Sequence, residues 1–247
     1  MIEVRHLDNA PIVEALIDFR VNIPTEFNVQ IFSSLGSDFA SKYPKRESLT
    51  SGNIEFRIED GKPVVKSNVD KGIQGYIYKS ADGKDVAQFR MDGFTFSRLN
   101  PYTSWEQVFG EASKLWDLYC SKAASDPVTV TRIAVRYINR LDIPALEDLG
   151  EYLKAPLKIP EELPQEISEF LVRVVIHESE LTANIIQALD KSTKPNYVGV
   201  ILDIDVYKQN QNGFDITNVL SEFTKLRDLK NRIFFASITD KMGKFCK

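Results

Sequence analysis

Cysteine and histidine are scarce in this chain: Cys120 and Cys246, His6 and His177 are all there are in 247 residues. Two cysteines far apart make neither a disulfide framework nor a zinc pattern, and both read as reduced thiols of a reducing compartment. Two histidines leave few candidates for a Ser-His-Asp triad or a histidine-rich metal site. The phosphate-cradling patterns G-x-x-x-x-G-K-[ST] and G-x-G-x-x-G are missing, as are H-E-x-x-H and G-x-S-x-G. No apolar run reaches membrane-spanning length, and Met1–His6 lacks the blocks of a signal peptide. These absences predict a cytoplasmic protein. Positive charge is not in excess either: 31 Lys and Arg face 35 Asp and Glu, a formal net charge of −4. That balance argues against general nucleic-acid binding.

What is present is ordinary globular material, 43% hydrophobic and 27% charged, long enough to bury a core without a metal or disulfide staple. Between Ile12 and Val21, residues Val13, Ala15, Ile17, Phe19 and Val21 alternate with Glu14, Asp18 and Arg20. Period two predicts a half-buried strand. Pro24 and Thr25 break it and cap a helix whose face is Phe27, Ile31, Phe32, Leu35 and Phe39, ended by Pro44. Residues 53–98 read as an antiparallel meander with turns at Asp60-Gly61, Asp82-Gly83 and Asp92-Gly93. A long helix follows, capped by the pair Thr103 and Glu106 and striped by Trp105, Val108, Phe109, Ala112, Leu115, Trp116 and Tyr119.

The second half repeats this order. A strand runs from Val128 to Ile143 and ends at Pro144; a short helix covers 146–153; a connection carries Pro156, Pro160 and Pro164. Strands near 167–178, 181–189 and 197–207 lead to a helix capped at Gly213-Phe214-Asp215, with the stripe Ile216, Val219, Leu220, Phe223 and Leu226. From Ile233 the tail reads as apolar, then polar. The predicted fold class is α+β, with curved antiparallel sheets packed on two long helices. The order suggests a β-α-β(n)-α pseudo-repeat of halves 1–125 and 126–247 within a single unit, 1–247. Such a plan resembles TATA-binding-like and helix-grip folds, an architectural likeness that carries no function.

Three blocks carry a further resemblance: Pro11 to Arg20 (PIVEALIDFR); Phe96 to Leu99 with Pro101, Tyr102 and Trp105; and Arg136 to Arg140 (RYINR). Together they are similar to a sporadically distributed family of uncharacterised bacterial and archaeal proteins. The resemblance implies a shared fold and brings no catalytic residues with it.

The charges on strand faces are the most specific chemical feature. Arg132, Arg136 and Arg140 share one face of their strand, Asp18 and Arg20 share the polar face of the first strand, and Asp203 and Asp205 share a face of the last. Cross-strand Arg–Asp pairing explains such a set structurally. Arg20, Arg136 and Arg140 could instead grip an anion or peptide, since guanidinium forks suit carboxylates and phosphates. Asp203 and Asp205, with Asp18, could share a divalent metal. Arg98, Pro101, Tyr102 and Trp105 gather where a strand turns into the long helix, either as a recognition corner or as a structural one. His177, beside Glu178, would need a nucleophile in reach to act as a base.

The expectation is a non-catalytic binding or interaction module, without a cofactor, presenting a sheet face to a protein, peptide or small anionic ligand. Its expected ligand-binding residues are Arg20, Arg136, Arg140, Arg98 and Tyr102. The alternatives are a metal-dependent enzyme on nucleotide or nucleic-acid phosphates, and a helix-grip cavity for a small ligand.

Overall fold

Alternation along the first strand decides where the core lies. In the structure, a computed structural model, β1 (Ile12–Asn22) buries Ala15, Ile17, Phe19 and Val21 on one face. The structure describes residues 7, 9–22, 27–50, 53–59, 62–68, 72–123, 128–144, 149–192, 194–214 and 219–245. A 3-10 turn (Val29–Ser33) and helix α1 (Ser37–Lys42) follow. Next come β2 (Lys45–Thr50), β3 (Asn53–Glu59), β4 (Lys62–Asn68), β5 (Ile73–Lys79), β6 (Asp85–Arg90), β7 (Gly93–Leu99) and helix α2 (Trp105–Lys122). The rest comprises β8 (Thr129–Pro144), a 3-10 turn (Leu149–Glu151), β9 (Leu171–Glu178), β10 (Leu181–Lys191), β11 (Tyr197–Gln209), α3 (Val219–Ser237) and α4 (Asp240–Phe245).

Nine strands form one antiparallel sheet in the order β2-β5-β6-β7-β1-β8-β11-β10-β9, while β3 and β4 make a separate two-stranded sheet. Apart from β2 at one edge, the order is mirrored about the β1–β8 pair. Outward from β1 come β7, β6 and β5; outward from β8 come β11, β10 and β9. Helices α2 and α3 each follow the strand that flanks a central one, and both cover the same face. Phe19 shows this: its ring stacks on Trp116 of α2 at 4.2 Å and meets Phe223 of α3 at 5.0 Å between centroids. The apolar positions of β8 (Ile133, Val135, Tyr137) and β11 (Leu202, Ile204, Val206) point into the same layer. Burial of this kind stabilises by about 25 cal/mol per Å². No described helix is long and apolar enough to cross a membrane.

Several elements differ from expectation for identifiable reasons. The helix predicted from Phe27 to Phe39 is two short pieces, because Gly36 sits between them at φ +99°, a conformation that breaks helical continuity. Pro24 and Thr25 lie outside the described residues, as do Asp60-Gly61 and Asp215-Ile216. The meander does not include β3 and β4. The place beside β5 belongs to β2, whose exposed, polar run KRESLT carries no apolar alternation. The cap of α2 is Ser104, which accepts from the Gln107 amide at 3.2 Å, rather than Thr103. The short helix shrinks to Leu149–Glu151, with 145–148 outside the described residues. Helix α3 continues to Ser237, so Ile233 and Phe234 are buried helical residues and not part of a tail.

Candidate functional site

On the face away from the helices, neighbouring strands bring the predicted charges together. Register places Asp18 between Thr95 of β7 and Ala134 of β8. Its buried carboxylate accepts from Thr95 Oγ1 at 2.6 Å, Arg132 at 2.9 Å, Arg20 at 3.2 Å and Arg90 at 3.3 Å. Arg132 bridges onward to Asp205 at 2.9 Å and lies over the Tyr207 ring. Arg136 grips Asp203 with two parallel bonds, 2.9 and 2.6 Å, the bidentate geometry that makes such pairs strong. Arg20 and Arg90 both reach Asp92. Hydrogen bonding to Asp203 holds the Arg136 guanidinium above its ordinary range. Burial pushes the Asp205 carboxyl up, against the pull of Arg132 and Arg136.

Every cation named on this face therefore meets an aspartate. Asp18 and Asp205 are joined through Arg132 rather than aimed at a common point, and Asp203 is held by Arg136. Among the described residues, no group of three or more His, Cys, Asp or Glu is placed to hold a metal ion. Arg140 lies further along β8, 3.6 Å from Asp142 and 3.8 Å from Asp190. Arg98 pairs with Asp85 at 3.0 Å and donates to the Pro101 carbonyl at 3.1 Å, tying the strand end to the corner before α2. His177, on exposed edge strand β9, sits 3.1 Å from the Thr182 hydroxyl.

Tyr102 belongs to a different place. It lines a cavity of about 600 Å³ on the helix side of the sheet, where the start of β1, the β7–α2 corner, β8 and α3 converge. Ile12, Pro101, Phe234 and Phe235 supply apolar wall; Tyr102, Tyr137 and Asn139 supply polar groups. The two phenol oxygens are 3.1 Å apart and their rings meet edge to face. Burial raises the pKa of both phenols, so they stay protonated near neutrality. The Asn139 amide donates to the Leu202 carbonyl at 2.9 Å.

Helix α3 contributes Arg227, Lys230 and Asn231 to the same cavity. Lys230 is buried, 8% exposed, with its ammonium 3.7 Å from the centre of the Tyr137 ring. No carboxylate pairs with it, and none lines the cavity, among the described residues. Burial, reinforced by the Arg227 charge, brings its pKa down to about 7. Arg227 stacks on Trp105 at 5.1 Å and is 3.7 Å from Glu106, too long for a hydrogen bond. The cavity thus carries positive charge from two side chains one helical turn apart, against apolar walls.

The sequence holds a signal for this site. Phe223, Leu226, Lys230 and Ile233 follow helical spacing, so a lysine occupies a position of the buried stripe. Ending that stripe at Leu226 hid it. No family model matches the chain, and no curated protein matches it significantly.

Proposed function

We propose that the protein binds a small organic anion in the cavity between β8, the β7–α2 corner and α3. The observation that carries this reading is Lys230, a buried cation that faces a cavity and has no acidic partner among the described residues. A buried charge left unpaired is costly, and an incoming carboxylate relieves that cost. The cavity volume, about 600 Å³, falls within the range of small-molecule sites, about 300–1,000 Å³. Ile12, Pro101 and Phe234 offer an apolar body a surface, while Lys230 and Arg227 offer its charged end two donors. The sheet-face arginines suit this role less well, because aspartates already occupy them.

Calorimetry with benzoate, phenylacetate and hexanoate, beside the matching primary alcohols, tests the reading. The carboxylates bind and the alcohols do not, and Lys230→Met weakens binding at least about tenfold, the scale of one charge-assisted hydrogen bond. Equal binding of acids and alcohols, or none by either, overturns it.

A second observation favours a protein partner. Strand β9 ends the sheet, and Leu171, Val174, Val175 and Ile176 are exposed on it. An open apolar edge suits an added strand from an extended segment of a partner protein. Val175→Lys with Leu171→Lys then abolishes co-purification of that partner without changing the melting temperature; unchanged co-purification counts against the edge.

A further inference from the structure

We propose that Lys230 forms an imine with the ketone of a 2-oxo acid whose carboxylate is held by Arg227. This inference rests on the anion-binding reading above and names the class of anion. The two cations are chemically different. The guanidinium of Arg227 has no hydrogen-bonded carboxylate among the described residues, only Glu106 at 3.7 Å. Stacked on Trp105 and only loosely paired with Glu106, its planar fork keeps N–H groups that suit an incoming carboxylate. The amine of Lys230 is buried, has no counter-ion among the described residues, and opens on the cavity. Removal from water disfavours its charged form, which leaves the lone pair that carbonyl addition needs. Residues three apart on a helix are neighbours, roughly 5–6 Å between Cβ atoms. In a 2-oxo acid, carboxylate and ketone carbons are directly bonded, so one compact group answers both side chains.

The step balances without an oxidant. The lone pair on Lys230 Nζ attacks the ketone carbon, and the C=O π pair moves onto oxygen. A proton passes from nitrogen to that oxygen, giving the carbinolamine. A second proton, from a phenol, reaches the same oxygen; the C–O bond breaks, water leaves, and the nitrogen lone pair closes the C=N bond as an iminium, whose remaining N–H proton returns to the phenolate to give the imine. The Tyr102–Tyr137 pair is the proton source in place. Two phenol groups carry two hydroxyl protons, and their mutual 3.1 Å contact uses one. The other remains to donate, and Lys230 lies over the Tyr137 ring of that pair. Sharing the cavity with the amine are Arg227 from its own helix, Tyr102 from the corner and Tyr137 from β8, and Glu106 of α2 stands 3.7 Å from Arg227.

The test incubates the full chain with phenylpyruvate or pyruvate and sodium cyanoborohydride, then maps modified peptides by mass spectrometry. Calorimetry with phenylpyruvate and with 3-phenylpropanoate, which lacks the ketone, runs beside it. The expected result is a saturable reduced adduct on Lys230 in preference to other lysines, blocked by excess 3-phenylpropanoate. Arg227→Met raises the half-saturating concentration at least tenfold. Lys230→Arg, shown to be folded by circular dichroism, keeps a charge and loses the adduct, which separates loss of the nucleophile from loss of the fold. Binding of both acids with Lys230 unmodified, or with adducts scattered over surface lysines, overturns the imine and leaves the anion cavity standing. Binding of neither acid overturns both.

Discussion

Replacing Lys230 by methionine, and following both proteins across pH, isolates the energetics of one buried amine. Below a folded-state pKa of about 7 the amine is protonated in the folded and unfolded chains alike, and the full penalty of burying it is present. Between about 7 and its ordinary 10.5 the unfolded chain keeps the proton that the folded chain has lost. Stability therefore rises with pH across that window. At about 1.4 kcal/mol per pH unit the whole interval corresponds to about 5 kcal/mol, of which about 3 falls between about pH 6 and pH 9. Attraction of the ammonium to the Tyr137 ring opposes this by up to about 2 kcal/mol, so about 1 kcal/mol is the floor. The raised phenols of Tyr102 and Tyr137 stay protonated. Neither imitates the effect. Urea denaturation at a series of pH values gives the difference, wild type minus Lys230→Met, in which other titrating groups cancel. The expected difference climbs toward the variant as pH rises. A flat difference refutes the account of Lys230 as a buried, unpartnered amine.

Two further outcomes follow from the sheet. Asp18→Asn removes the negative charge that Arg20, Arg90 and Arg132 share. Each arginine keeps a second carboxylate, Asp92 for Arg20 and Arg90 and Asp205 for Arg132, so denaturant titration should register the loss of charge-assisted hydrogen bonds, about 1.5–3 kcal/mol; a loss below about 0.5 kcal/mol would mean the arginines repack with water. Gly93→Ala meets a backbone at φ +147° and a new Cβ driven into the Phe19 carbonyl oxygen of the paired strand. The melting temperature should fall by more than the several degrees that about 1 kcal/mol produces, whereas Gly110→Ala, open around its Cβ, should not lower it.

What the sequence discloses depends on whether a residue's neighbours are near in the chain. Alternation in Ile12–Asn22 and the stripe of α2 are local signals, and both elements stand where they read. The exposed strand β2 has no apolar face, so nothing in Lys45–Thr50 announces pairing with β5. The charges of Asp18, Arg132, Arg136, Asp203 and Asp205 are visible on their strand faces, but their partners depend on strand order. That order sets β1 beside β8 and β8 beside β11. Tyr102 was legible as part of a corner; its contact with Tyr137, and that of Tyr137 with Lys230, join residues far apart in the chain.

The central pair of the sheet also has a history in time. Strand β1 finds β7 within its own half, but its other neighbour, β8, lies more than a hundred residues further on. At a synthesis rate of about 5–20 residues per second, β1 waits roughly ten seconds with one side open. An open strand is a template for pairing with the wrong chain, and a charge within it is among the devices that discourage this. Asp18 and Arg20 lie on that side-open strand. The residues that fasten the finished sheet are thus also those that make its unfinished seam a poor place to stick.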